Sequence, residues 1–265
     1  MAILKGKFLI GIVGSVVCRT HRGRQVISGK PRGKQKLSEG TKKSANTFGK
    51  ASNFARQIRN TIADVMTSNY DGTMNYRLNQ EVVHILTKAR DPDTRMFYFG
   101  PSSFDALTGF QFNINSPFNH SLQVPPYISV VDNQLTLHLP EINVPTDLKF
   151  PPNAGSCNIN FTVVEFNLLT GKKRRALMGT KTIVNAKGVN AAQEWTVPLQ
   201  EGWFSVIAMS LNYVQHTFAG NVVLNSKEFC PALIIQAGFI TNIDQAGPFK
   251  FKTTDGTWVS SKGIL

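Results

Sequence analysis

The chain has 265 residues, 42% of them hydrophobic and 17% charged, with 18 Phe and 21 Gly. That is length enough for a sizeable core, too apolar for disorder and too interrupted for helices that span a membrane. The formal net charge is +13 and unevenly placed: residues 1–60 hold 14 of the 29 Lys and Arg and one of the 16 acids, Glu39, which leaves 15 of each sign in residues 61–265. So few carboxylates argue against acid-rich catalytic or calcium sites, and no motif names a reaction.

Residues 2–31 read as short strands. Val16-Val17-Cys18 and Gln25-Val26-Ile27 flank Thr20-His21-Arg22-Gly23, a hairpin pattern with Gly in the connection. Lys5 and Lys7 followed by the apolar run Phe8–Cys18 imitate a secretion leader. No small-residue cleavage site follows, and Val17 before Cys18 is a poor lipoprotein junction, so the run is expected to be part of the fold. Gly11 and Gly14 within it suggest bulges or close backbone approach. Lys30-Pro31-Arg32-Gly33-Lys34 then forms a basic extended link. Gly33-Lys34-Gln35 and Gly49-Lys50-Ala51 lack the hydroxyl and the earlier Gly of a phosphate-binding loop.

From Thr41 to Ser68 the period becomes helical, with Ala45, Phe48, Ala55, Ile58, Ile62 and Val65 as the apolar stripe and Arg59 snorkelling within it. Asn69-Tyr70-Asp71-Gly72 breaks the helix. Thr73 is placed to cap a second one carrying Met74, Leu78, Val82, Ile85 and Leu86, which ends before Asp91-Pro92. Two such helices joined by a short turn make a helical hairpin.

After Phe97 the chain turns to strands. Leu135, Leu137 and Leu139 alternate with Thr136 and His138, following an Asp132-Asn133 turn. Pro140, Pro145, Pro151 and Pro152 mark an extended connection. Cys157, Ile159, Phe161 and Val163 share a face, and Val164, Phe166 and Leu168 continue after a phase slip expected to be a bulge. Thr170-Gly171 turns the chain into Lys172-Lys173-Arg174-Arg175, read as a solvated basic turn, and a strand near Ala176–Val184. Strong runs follow at Trp203–Val214 and Ala232–Ile240. In the first, Ile207, Met209, Leu211 and Tyr213 oppose Phe204, Val206 and Ala208. A final hairpin is expected around Asp255-Gly256, with Phe249, Phe251 and Trp258 packing on the body.

The expected fold is therefore α+β: an N-terminal β-hairpin arm and a two-helix hairpin, then an antiparallel immunoglobulin-like β-sandwich without its Cys…Trp…Cys signature. The segments are 1–40 (basic arm), 41–95 (helical hairpin), 96–150 (a β-rich subdomain) and 151–265 (the sandwich).

No chemistry stands out. Cys18, Cys157 and Cys230 are isolated thiols, with buried hydrophobic roles expected for the last two. His21, His84, His120, His138 and His216 are scattered, with no metal-pair spacing, and His138 sits on the polar side of its strand. Asp91 and Asp93 bracket Pro92 as a turn, and Gly100-Pro101-Ser102-Ser103 is not a nucleophile elbow. No enzyme, cofactor or metal is expected.

What remains is binding. A basic arm points to an acidic partner: a large acidic protein surface, or nucleic acid. The stretch Arg19–Lys43 has no aromatic to interleave with its cations, which disfavours single-strand binding and leaves duplex phosphates. The expected contacts are Arg22, Arg24, Lys30, Arg32, Lys34 and Lys36. A ribosome- or phage-related nucleic-acid protein and a phage or injection-machine component are the alternatives.

The pattern Lys5-Gly6, Gly11-Ile12-Val13-Gly14, Arg22-Gly23-Arg24-Gln25-Val26-Ile27 and Lys30-Pro31, with Thr47-Phe48-Gly49-Lys50-Ala51-Ser52, resembles a group of basic Bacteroidota proteins classed as a domain of unknown function. The resemblance covers residues 3–60. It implies no enzymatic activity and kinship with a plug subunit closing the periplasmic mouth of the type 9 secretion translocon, an outer-membrane β-barrel. It further implies a place on the periplasmic face of the outer membrane. Without it, the missing leader points to the cytoplasm.

Overall fold

A computed structural model describes residues 2–21, 23–30, 38–63, 69–94, 96–100, 102–239 and 258–260. The chain divides into two compact units, Met1–Ala45 and Asn46–Leu265, with the division falling inside a helix.

In the first unit, β1 (Ala2–Lys5), β2 (Phe8–Val13), β3 (Val16–His21) and β4 (Arg24–Gly29) form an antiparallel meander in chain order. Each connection has only two residues, and such tight turns require positive φ. Gly14 (φ 56°) and Gly23 (φ 72°) supply it. Gly14 is thus a turn residue rather than the expected bulge.

Helix α1 (Glu39–Thr61) buries Thr47, Ala51, Phe54, Ala55 and Ile58, and Ile62 follows on the same stripe. Two expected core positions are corrected: Ala45 and Phe48 are exposed. The stripe runs through Thr47 instead, because the Arg90 guanidinium donates to its hydroxyl at 2.7 Å and satisfies it there. Val65 lies outside the described residues. Helix α2 (Met74–Ala89) buries Met74, Leu78, Val82, Ile85, Leu86 and Ala89 as its spacing requires. Its start is not held by the Thr73 side chain, which makes no cap bond. Asp71 anchors it instead: its buried carboxylate accepts from the Thr73 amide (2.7 Å), the Thr73 hydroxyl (2.6 Å), the Ile114 amide (3.2 Å) and Arg77 Nη2 (2.5 Å). Asp91 Oδ1 accepts from the Asp93 and Thr94 amides, a turn as expected.

Strand β5 (Phe97–Phe99), a short helix α3 (Phe118–Ser121), and strands β6 (Tyr127–Val131), β7 (Gln134–Leu139) and β8 (Ile142–Val144) follow. Then come β9 (Ser156–Phe166), β10 (Lys173–Val184), β11 (Gly188–Asn190), β12 (Gln193–Pro198), β13 (Phe204–Thr217), β14 (Gly220–Val223) and β15 (Ala232–Phe239). The largest sheet runs β10-β9-β13, and the far edge of β13 is shared by β15 and β14. A second sheet has the order β12-β7-β6, and β11 pairs β8. All named pairs are antiparallel. The protein is mixed α+β, mostly antiparallel sheet with few helices.

Strands β9, β13 and β15 of the large sheet are largely buried on both faces. Val164, Phe166, Phe204, Val206 and Ala208 join the α1 and α2 stripes in one core, where Phe104 and Phe204 centroids are 4.2 Å apart. Cys157, Ile159, Phe161, Val163, Ile207, Met209, Leu211 and Tyr213 face Leu135, Leu137 and Leu139 of the second sheet in another. This corrects the phase slip read in β9. Its ladder to β13 runs unbroken from Ser156 to Phe166; Val164 and Phe166 face one core, and Cys157, Ile159, Phe161 and Val163 the other. The bulge lies in the neighbour, between Arg175 and Leu177 of β10.

The basic turn is also corrected. Lys172 and Lys173 are exposed, but Arg174 is half-buried. Its Nε lies 2.5 Å from the fully buried Glu165 carboxylate, whose other oxygen accepts from the Gln200 amide at 2.7 Å. The tail hairpin at Asp255-Gly256, with Phe249 and Phe251, lies outside the described residues; β16 (Trp258–Ser260) pairs with β5.

Candidate functional site

The register of the first unit sorts its side chains. Ile3 pairs Ile10, Lys5 pairs Phe8, Ile12 pairs Val17, Arg19 pairs Val26 and His21 pairs Arg24. Since paired residues share a face and successive residues alternate, Lys5, Arg19 and Arg24 all project from one face, together with His21. The other face carries Leu4, Leu9, Val13, Val16, Cys18, Gln25 and Ile27, none of them charged. The β2–β3 ladder stops at Gly11–Cys18, and Gln25 takes over where it stops. Its Oε1 accepts from the Leu9 amide at 2.9 Å, and its Nε2 donates to the Leu9 and Arg19 carbonyls at 2.9 and 3.1 Å. The cationic end is thereby held in register.

Among the described residues, no acidic side chain pairs with Lys5, Lys7, Arg19, Arg24 or Lys30. Apolar side chains stand exposed on the cationic face: Ile3 is 64% and Ile12 42% accessible. Of the expected contacts, Arg24 is exposed on the cationic face and Lys30 is exposed just after β4. Arg22, Arg32, Lys34 and Lys36 lie outside the described residues. Lys5 and Arg19 were missed, because strand parity within a known register is what assigns them.

The body holds a second arrangement. On the outer face of the β6–β7–β12 sheet, His138 Nε2 lies 2.7 Å from Ser129 Oγ, and His138 Nδ1 lies 2.7 Å from Glu194 Oε1. His216 is bonded differently, to Asn221 Oδ1 (2.7 Å) and Ser156 Oγ (3.0 Å). An open cleft of about 360 Å³ is lined by His84, Lys88, Tyr98, Ser102 and Asp105, where burial pushes the Asp105 carboxyl up. The Gly100 amide donates to Ser103 Oγ at 2.8 Å. Cys18, Cys157 and Cys230 are buried and in no disulfide. Among the described residues no His, Cys, Asp and Glu cluster could hold a metal ion, and no helix is long and apolar enough to cross a membrane.

Fold and site together define an α+β body preceded by a separate sheet with a cationic face. No family model, curated protein or solved structure matches this chain.

Proposed function

We propose that this chain is a binding subunit whose N-terminal sheet docks, cationic face first, on a large acidic protein surface, while the body covers or fills part of that partner. The observation that carries this reading is the segregation of Lys5, Arg19 and Arg24 onto one face with no acidic side chain pairing with them among the described residues. Guanidinium and ammonium groups presented together on one sheet face pair with carboxylates, and exposed apolar neighbours such as Ile3 add burial on contact. In the version implied by the Bacteroidota resemblance, the partner is the wall of the type 9 translocon barrel at its periplasmic mouth. The body then closes the pore by steric occlusion, without catalysis.

The immunoglobulin-like sandwich belongs to the same proposal. It is supported by the core that the β9–β13 face shares with β7, and the helices on the far face are an addition to such a sandwich. Nucleic acid is the weaker partner. Phe8 is the only aromatic in residues 1–45, so the sheet has no platform on which bases could stack.

The test compares two variants of equal charge change. Lys5→Glu/Arg19→Glu/Arg24→Glu should abolish crosslinking to the acidic partner in isolated outer membranes, whereas Lys172→Glu/Lys173→Glu/Lys187→Glu, at three exposed lysines of the body, should leave it intact. Equal loss in both variants would reduce the effect to net charge and end the docking reading. Tight binding of a duplex DNA probe, with a log–log salt slope of about −0.9 per phosphate contacted, would replace it with the nucleic-acid one.

A further inference from the structure

We propose that Ser129, His138 and Glu194 form a nucleophilic acyl-transfer site on the body, independent of the docking sheet. The three come from adjacent strands. Tyr127 pairs His138 and His138 pairs Glu194, while Ser129 sits one pleat along, opposite Thr136. Because Ile128, Val130, Leu135, Leu137 and Val197 take the core side, these positions are turned to the outer face. A carboxylate only accepts hydrogen bonds, so Glu194 fixes the proton on His138 Nδ1. His138 Nε2 is then an acceptor, and the Ser129 hydroxyl must donate to it. That is the protonation order in which an imidazole serves as base for a serine.

Supporting contacts hold the arrangement. The Tyr127 ring stacks on the imidazole at 4.4 Å with an 8° interplanar angle, which fixes the ring plane. The Thr136 hydroxyl, on the residue paired with Ser129, is bonded to the Thr196 hydroxyl at 3.1 Å, which ties β7 to β12 beside the site. Tyr127 and Val131 flank Ser129 along β6 and are 48% and 56% exposed, a shallow apolar surface suited to a short-chain acyl ester.

In the reaction, Ser129 Oγ forms a bond to the ester carbonyl carbon as its proton passes to His138 Nε2. Glu194 stabilises the imidazolium through Nδ1–H. The bond to the leaving oxygen then breaks, and that oxygen takes the proton from Nε2, leaving acyl-Ser129. A water that gives a proton to Nε2 attacks the acyl carbon, releasing the carboxylic acid and returning the proton to Ser129. Glu194 is a positioning residue, acting through His138.

The experiment treats the full chain with a fluorophosphonate probe and with p-nitrophenyl acetate. Peptide mapping should place the label on Ser129, and Ser129→Ala should remove it. His138→Gln should slow acylation about 100-fold or more, within the usual range for losing a general base. Glu194→Gln should slow it less and displace the pH–rate profile, which a merely structural loss would not do. His216→Gln is the control, since its neighbour is the Asn221 amide and its serine, Ser156, is buried; labelling should be unchanged. Unchanged circular dichroism shows that each variant is folded. Absence of label on Ser129 in the folded wild type, or full labelling in His138→Gln, overturns the proposal.

Discussion

Replacing Asp71 by Ala should cost the body about 3–5 kcal/mol, the range for breaking a buried ion pair by removing one partner. The Asp71 side chain is 4% exposed, and its loss leaves the Thr73 amide, the Thr73 hydroxyl, the Ile114 amide and one Arg77 nitrogen without an acceptor. Each orphaned donor alone costs about 1–3 kcal/mol. Two features keep the total below the sum: Arg77 retains the Gln111 carbonyl at 2.9 Å, and its guanidinium stays over the Phe110 ring at 5.0 Å. Asp71→Asn separates charge from shape, because one oxygen can still serve Thr73 while the amide nitrogen meets Arg77 donor to donor. It should lose roughly 2–3 kcal/mol. The effect must also depend on pH. Burial pushes the Asp71 carboxyl up, but hydrogen bonds from Thr73, Ile114 and Arg77 outweigh it and hold the group below its ordinary value. A carboxyl lowered in the folded state stabilises fully above its unfolded value of about 3.9, and the contribution fades as pH falls through the lowered folded value. Urea unfolding at neutral pH and in acid should therefore show the gap between wild type and Asp71→Ala narrowing in acid. A neutral-pH loss under about 1 kcal/mol, a small part of a typical 5–15 kcal/mol domain, would refute the reasoning.

Other perturbations follow from the two cores. At Gly179 an added Cβ would lie 2.2 Å from the Phe161 ring, which is fully buried and packed at 4.2 Å on Trp195. Gly179→Ala should lose about 1–3 kcal/mol or more by overpacking, read as a lower thermal midpoint. Phe54→Ala removes a ring tilted against Phe204 at 5.5 Å and set edge-on to Phe104 and Phe166, and should lose about 3–5 kcal/mol in guanidinium unfolding. Glu165→Gln keeps an acceptor for the Gln200 amide but removes the charge facing Arg174. A loss of about 1–3 kcal/mol is expected, and an unchanged thermal midpoint would remove the ion pair as a stabilising contact.

How much of this was legible in the sequence depended on where each residue's partner lies. Helix α2 and strand β7 read correctly because every buried position is apolar and every exposed one tolerates water. Helix α1 was read one step off because Thr47 is polar, and only Arg90, 43 residues away, makes it a core residue. Strand β9 carries apolar residues on both parities, so periodicity alone could not distinguish a strand covered on both faces from one that slips phase. The Arg174 ion pair was hidden for a related reason: a charged hairpin end is ordinarily solvated, and Glu165 is fully buried only because two cores close around its strand. The cationic segment was visible as a count of charges, but its concentration on one face needed the strand register. Ser129, His138 and Glu194 come from three strands, and nothing local in the chain announces that they meet.

The two units should also differ in what holds them together. Among the described residues of Met1–Ala45, Cys18 alone is buried, whereas the body has two apolar cores sharing one sheet. Ordering a backbone residue costs about 1–2 kcal/mol, and a backbone hydrogen bond returns only about 1 kcal/mol net, so a ladder with almost no apolar burial is marginal. Amide protons of β1–β4 should therefore exchange by local opening, orders of magnitude faster than those of β9 and β13, whose opening requires the body to unfold. A ligand that binds only the closed sheet slows its exchange in proportion to occupancy. Saturating polyglutamate should then protect β1–β4 selectively, and Lys5→Glu/Arg19→Glu/Arg24→Glu should abolish that protection while leaving β9 and β13 unchanged. Equal protection of both sheets in the free protein would mean that the ladder is stabilised by something other than burial, and the case for an acidic cover would lose its thermodynamic basis.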